Sequence, residues 1–442
     1  MIELIEKRQE NSKTFDLGNR SRRLEVYMGA VHYKDNYASD EQWKDIELTW
    51  AGNKITKAPY ELTLDGTKLT LKDKKTGETS TIELLDAKPL GMKWKIIPEN
   101  TRVSFRHILP SDKIPFEAKF KITGKGLITT KAFDDDGELM LDVAVVGDTL
   151  TEKLSGIRDK QTGQVRPAKG QIKVDPTWQV GASADDCGGY GTYFDPAYSD
   201  FRSGFYVIGE EGNYSGMRVT SVTIPKGATI DTAYLILQAM YSDTATVVNT
   251  NLHGEAADNP GTFTDYTDFW ARTRTGEFVA WDAIPAWTAE TIYNSPEIKT
   301  IIQEIVNRAG WASGNSIVIF WRNDGSTETA GVRRRAYSYD TSTTKAPQLV
   351  ITYTPPAVTA KTSSDTGSGA DAKLTGNPKA TLVKSETGTG ADAKVALQTT
   401  LLGFIRRVVT ISDRTVISAI PDRTLSAAYS DRDKIVETVT EQ

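Results

Sequence analysis

The chain has 442 residues, 38% hydrophobic and 25% charged, with a formal net charge of −5 at pH 7. That length exceeds one small domain and leaves apolar material for two or three cores. The acidic balance argues against nucleic acid as a partner, because phosphate contacts need Lys and Arg gathered on one face. Cys187 is the single cysteine, so no intrachain disulfide can form, and no run approaches the ~20 apolar residues of a membrane span.

The opening Met1-Ile-Glu-Leu-Ile-Glu-Lys-Arg carries charges where a secretory signal needs an apolar stretch. The expected history is therefore synthesis and folding in a cytoplasm, with any release by a route that needs no cleaved leader. Residues 1–176 read as an N-terminal β-sandwich-like domain. Residues 23–28, 60–64, 68–72 and 81–85 alternate apolar and polar side chains at the period of half-buried strands. Asp65-Gly66 marks a tight hairpin, with Gly supplying a positive φ, and Thr76-Gly77 has a similar role in the next hairpin. Further strand-like runs lie at 101–109, 116–122, 139–146 and 171–174, and no segment has a helical period. Asp134-Asp135-Asp136-Gly137-Glu138 offers oxygen ligands for Ca²⁺ but lacks EF-hand spacing, and it reads as an acidic turn.

Asp175-Pro176 reads as a domain boundary, since Pro176 biases its predecessor to extended backbone and composition then shifts to Gly and aromatics. In 185–216 the aromatics among glycines, Tyr190, Tyr193 and Tyr214 included, are either a platform for sugar rings or the packed first strands of a sandwich. The central domain, 177–355, shows further short strands and one expected helix over about 295–309. Ser295 can cap it, Pro296 suits the first turn, and Ile298, Ile301, Ile302 and Ile305 form one apolar stripe. Arg308 sits in the last turn and Gly310 follows as a stop. Five of the nine Trp fall in this domain's second half. Trp281 and Trp287 flank loops, where an indole can face a ligand with its N–H still wetted. The Arg333-Arg334-Arg335 run reads as a solvated loop tip.

Pro355-Pro356 ends that domain, and 356–442 is different in kind. Ser364-Asp-Thr-Gly-Ser-Gly-Ala-Asp-Ala-Lys returns 21 residues later as Ser385-Glu-Thr-Gly-Thr-Gly-Ala-Asp-Ala-Lys. Ser412-Asp-Arg-Thr, Pro421-Asp-Arg-Thr and Ser430-Asp-Arg-Asp then follow at nine-residue intervals. Each unit predicts a strand of ~5–6 residues and a tight turn, too thin to bury a core alone. The segment is expected to assemble with partners.

Residue patterns demand no catalysis. His32, His107 and His253 are scattered and none has a second ligand at metal spacing, so neither a metal nor a cofactor is expected. No Gly-x-Ser-x-Gly elbow, P-loop or dinucleotide fingerprint is present. Paired carboxylates for glycoside hydrolysis cannot be singled out; Asp185 and Asp186 stand out only by lying among aromatics and read as surface charge or a turn.

Residues 218–237, with an Arg-containing strand, a Pro225-Lys-Gly-Ala-Thr-Ile turn and an Ala233-Tyr-Leu-Ile-Leu strand, resemble the start of the DNRLRE-type, disaggregatase-related β-sandwich surface modules. Ser295-Pro-Glu-Ile-Lys, the 306–316 region and the closing Ala346-Pro-Gln-Leu-Val-Ile-Thr-Tyr are similar to the same group. The resemblance implies a jelly-roll sandwich that attaches to polysaccharide or is displayed on a surface, without turnover. The C-terminal repeats resemble those at the ends of tailed-bacteriophage virion proteins. Together these imply a mainly β chain of antiparallel sandwich or jelly-roll domains with a C-terminal oligomerisation segment. The expected function is that of a non-enzymatic virion structural protein (spike, fibre or decoration) with other virion proteins, copies of itself and host-surface polysaccharide as partners. The alternative is a bacterial surface or secreted carbohydrate-binding adhesin. The residues expected near a glycan are Tyr190, Tyr193, Tyr214, Trp281 and Trp287.

Overall fold

The computed structural model describes residues 1–89, 93–124, 127–160, 162–179, 185–205, 212–245, 247–329 and 331–357, and four strands between 407 and 439. The protein is mainly antiparallel β. Residues Met1–Pro356 form one compact unit and Ala357–Gln442 a second.

The first unit holds two sandwiches. In one, a seven-stranded sheet runs from the edge strand Asp142–Val146 through Thr149–Leu154, Phe116–Thr123 and Thr79–Lys88 to the hairpin Tyr60–Asp65/Lys68–Asp73 and Lys54–Ile55. It packs on a five-stranded sheet whose centre is Ile172–Gln179, flanked by Arg102–Leu109 and Leu127–Phe133. Strand alternation sends Leu62, Leu71, Phe116, Phe120 and Leu150 of one sheet, and Val103, Phe105, Ile172 and Val174 of the other, into a shared core. Gly66 takes φ +60° in the first expected hairpin and Gly77 φ +75° in the second. Asp134 organises the acidic turn: its carboxylate accepts from the N–H groups of Asp136, Gly137 and Lys169 and from Arg166, so its oxygens are occupied by donors.

In the second sandwich a six-stranded sheet is ordered Ile2–Glu3, Ser12–Gly18, Ser21–Tyr27, Gln348–Thr354, Thr229–Gln238, Ile292–Asn294. The opposing sheet is built from Tyr193–Asp195, Asp186–Tyr190, Asn213–Val219, Ile317–Asn323, Thr250–Glu255 and Arg274–Trp281, with Asp200–Gly204 and Arg333–Tyr337 branching off. The strand Ser21–Tyr27 thus pairs with Gln348–Thr354 at the far end of the compact unit, Leu24 opposite Ile351. The expected boundary at Pro176 falls inside the continuous strand Ile172–Gln179. Lacking an N–H, Pro176 leaves a gap in the ladder: Arg102–Leu109 pairs on either side but skips Phe105 and Arg106. Contacts across the two sandwiches are polar, including Glu99 accepting from the Thr343 N–H at 2.7 Å and Arg335 donating to the Asp136 carbonyl at 2.8 Å.

The helix differs from expectation at its start. It spans Lys299–Asn307, and Ser295 is not its cap: the hydroxyl accepts from the Leu235 N–H instead. Glu297 likewise accepts from the backbone of Ala233, so 295–298 is spent on the neighbouring strand before the helix begins. Ile301, Ile302, Ile305 and Val306 face the core, and Gly254 lets the helix approach, since a Cβ there would lie 2.8 Å from Ile301 and Ile305. Gly310 does not stop the helix with a left-handed backbone; it makes room for Asp258, whose carboxylate accepts from Arg308. A second, unanticipated helix covers Tyr266–Ala271.

The arginine run is the largest reversal. Arg333, Arg334 and Arg335 lie inside a strand and are 8%, 0% and 4% exposed. Arg335 pairs with Asp243 at 2.7 Å and lies over the Tyr241 ring. Arg334 donates to the carbonyls of Pro285, Ala245, Ile284 and Arg333. Apart from the Arg333 carbonyl, these hydrogen-bonding partners are supplied by loops 49 to 92 residues away in sequence.

In the second unit the described strands form two separate two-stranded ladders, Arg407–Ile411 with Arg414–Ser418 and Leu425–Tyr429 with Ile435–Val439. The Gly/Ser-rich repeats at 364–394 and the intervening turns lie outside the described residues.

Candidate functional site

The outer face of the second sandwich, opposite its main core, carries a cover formed by residues 256–273. Phe263 and Phe269 close over Phe320, Val318, Cys187 and Tyr214. Gly216 permits this approach, since a Cβ there would lie 2.6 Å from the Phe263 ring. Asp265 starts the short helix by accepting from the Asp268 N–H. Arg272 then fastens the segment, donating to Asp268, to Glu255 and to the carbonyls of Gly261 and Thr262.

Tyr266 and Trp270 stand four residues apart, so they leave this helix on one side. With Tyr214, Asn213, Arg322 and Asn323 they line a cleft of about 440 Å³. Trp270 packs edge-on against Tyr214, centroids 5.4 Å apart, and the Arg322 guanidinium lies 4.4 Å from the Trp270 centroid. Burial, and then the charge of Arg322, lower the Arg274 guanidinium to about 10, which leaves it charged at neutral pH. Burial, then Arg322 and Arg274, also depress the His253 imidazole, so His253 is neutral there. Asn213 is fully buried with neither amide atom hydrogen-bonded, and the Trp270 indole N–H has no partner. Unsatisfied groups of this kind are uncommon in folded proteins. Ring faces, amides and a guanidinium bind polar, ring-shaped ligands. Hydrolysis by paired carboxyls would need acids flanking the substrate, and the lining contains none. Among the described residues no group of three or more His, Cys, Asp or Glu could hold a metal ion, and no helix is long and apolar enough to cross a membrane.

Of the expected ligand residues only Tyr214 lies in this cleft; Tyr190 and Tyr193 face each other one register position away, which puts their rings on the opposite face of the sheet, beside Tyr198. Tyr214 forms its floor and donates its hydroxyl to the Tyr193 carbonyl at 2.6 Å. Tyr193 is 42% exposed and stacks on Tyr190, centroids 5.3 Å apart. The neighbouring glycines serve packing, since a Cβ on Gly188 would strike the Tyr198 ring and one on Gly189 the Tyr214 ring. Trp281 and Trp287 lie at neither place. They are 9% and 1% exposed and stack with Trp321 between the sheets, which removes both from the reach of a surface ligand. Asp186, read as surface or turn, is buried as well, accepting from the Tyr339 N–H at 2.8 Å. Trp270, Tyr266 and Arg322 were not singled out in the sequence. The one available signal was Asp265 ahead of an aromatic pair at helical spacing.

No family model matches the chain, and no curated protein matches it. Among solved structures, an exo-beta-1,3-galactanase from Phanerochaete chrysosporium with galactose matches at 9% identity and a TM-score of 0.17, over 76% of this chain and 80% of that one. The same enzyme with beta-1,3-galactotriose matches at 10% identity and a TM-score of 0.17, over 77% and 80%. The N-terminal domain of the Streptococcus gordonii adhesin Sgo0707 matches at 7% identity and a TM-score of 0.12, over 75% and 88%. Superpositions this poor carry no argument about function.

Proposed function

We propose that this chain is a structural protein of a tailed-bacteriophage virion, a spike, fibre or decoration subunit that presents its sandwiches outward and assembles through its C-terminal segment. The observation that carries the reading is the contrast between the two units. Residues 1–356 close two cores, whereas the described strands of the second unit are two lone ladders. A two-stranded hairpin alone is marginal in water, and its free edges accept further strands. Copies of the chain, or other virion proteins, supply those strands. The repeat pattern of the same segment supports the virion assignment through its resemblance to phage proteins.

On the outward side, the Trp270–Tyr266–Tyr214 cleft serves attachment to a host-surface polysaccharide. The sugar's C–H faces stack on the rings, and its hydroxyls meet the Asn323 amide. Turnover has no place in this reading.

Two measurements test it. Light scattering at equal concentration is expected to give the full chain a higher multiple of its mass than residues 1–356 reach; equal multiples would remove the assembly role. On an array of bacterial surface polysaccharides, Trp270→Ala is expected to weaken binding on the order of 10-fold or more, as loss of a central aromatic anchor does. Unchanged binding would place the glycan elsewhere.

A further inference from the structure

The geometry points to a second interface in the first sandwich: the edge strand Asp142–Val146 pairs with the same strand of a second copy of this chain. This inference is independent of the C-terminal segment and of the glycan cleft.

All five residues of the strand are exposed, Val143 at 46%, Val145 at 57% and Val146 at 78%. Among the described residues the strand is bonded to Thr149–Leu154 only, so its outer edge is open. Natural sheets blunt such edges with Lys, Pro or a short length. Val-Ala-Val-Val carries neither Lys nor Pro. Val143 stands opposite Glu152 and Val145 opposite Leu150, a core residue, so both valines lie on the core-facing side of the sheet. The apolar face of the sheet therefore runs on past its cover.

Backbone geometry selects the register. Gly147-Asp148 is a two-residue turn, Gly147 at φ +62°, which makes Val146 and Thr149 the closing hydrogen-bonded pair. Bonding alternates along an antiparallel ladder, so the N–H and C=O groups of Val143 and Val145 point away from the sheet. A twofold axis through Ala144 sets Val143 opposite Val145 of the second copy and the reverse, pairing four free donors with four free acceptors. It also forms valine–valine cross-strand pairs on the core-facing side. An axis through Val145 would set Asp142 against Asp148 twice, and like charges directly opposite are destabilising.

The Ala144 register also places Asp148 of the second copy opposite Met140. There the surface offers a cavity of about 520 Å³ lined by Met140, Ile157, Val165 and Arg158. That lining holds one cation, Arg158, and one acid, Asp142, so the cavity adds shape and no net charge to the contact. A strand this short covers less than the ~800 Å² per partner of a stable complex, so the pairing is weak alone and concentration-dependent. The chemistry fits a second copy because the free donors, the free acceptors and the valine pairs are each reciprocated by the twofold axis.

Disulfide trapping in the full chain tests this. Ala144 would face itself across a non-hydrogen-bonded pair, about 4.5 Å between Cα atoms, within reach of a disulfide. Val146 would face Asp142 instead. Under mild oxidation Ala144→Cys is expected to give at least ~10-fold more covalent dimer than Val146→Cys. Cys187 is 2% exposed and does not compete. Equal yields from the two positions, or none from either, would overturn the proposal. Repeating the trap on residues 1–356 separates this contact from the tail, because the dimer is expected to persist there even if the C-terminal assembly fails.

Discussion

Arg334→Ala is expected to lower the unfolding free energy of the first unit by ~3–5 kcal/mol, the range for breaking one side of a buried charged network. The guanidinium is fully buried and donates at 2.6–2.8 Å to the carbonyls of Ile284, Pro285, Ala245 and Arg333. Alanine leaves these acceptors facing a void too dry to solvate them. Two of the three external carbonyls belong to the loop that carries Ile284 and Trp287 into the core, so the loss spreads to packing. Arg334→Lys should recover only some of the stability, because one ammonium cannot reach acceptors arranged around a planar fork. Urea denaturation of the three proteins measures this. A change within ~0.5 kcal/mol for Arg334→Ala, the range of an ordinary surface substitution, would show that the guanidinium holds nothing together.

The second large effect is in pH. Asp186 is fully buried; burial first, and then the charge of Asp340, push its carboxyl well above the usual carboxylate range. The folded protein therefore keeps a proton there that the unfolded chain releases near pH 4. The contribution to stability is fully present below that unfolded value and is lost as pH rises toward the folded one. The slope is about 1.4 kcal/mol per pH unit while the difference persists. Asp186→Asn removes the titration and keeps an oxygen for the Tyr339 N–H. Its unfolding midpoint, followed from pH 5 to 8, is expected to decline less than that of the parent protein. Parallel curves would mean that Asp186 ionises normally in the folded state.

The fold class was legible because burial on one side of a sheet writes a period of two into the chain. The runs at 60–64, 68–72, 101–109 and 116–122 all became strands, and the repeated Asp-Arg units are flanked by five-residue strands. The same local reasoning misplaced Ser295 and Gly310, because capping and close packing use the same residue types. Ser295 serves Leu235, and Gly310 clears Asp258; neither partner is a sequence neighbour.

The site was only partly legible. Tyr214 fell in the cleft and Tyr190 and Tyr193 on the opposite face of the sheet, because periodicity assigns a residue to a face without saying which face is covered. Trp281 and Trp287 point inward, toward Trp321, while Trp270 reaches the surface on a helix too short for a periodic signal. Charge was the least readable property. Local composition is enough to specify strands, turns and the single thiol, because these depend on neighbours within a few residues. Whether Arg334 meets water or four carbonyls, and whether Asp186 carries a charge or a proton, depends on loops brought close by folding. Only the assembled sheets set the dielectric and the partners in which those groups ionise.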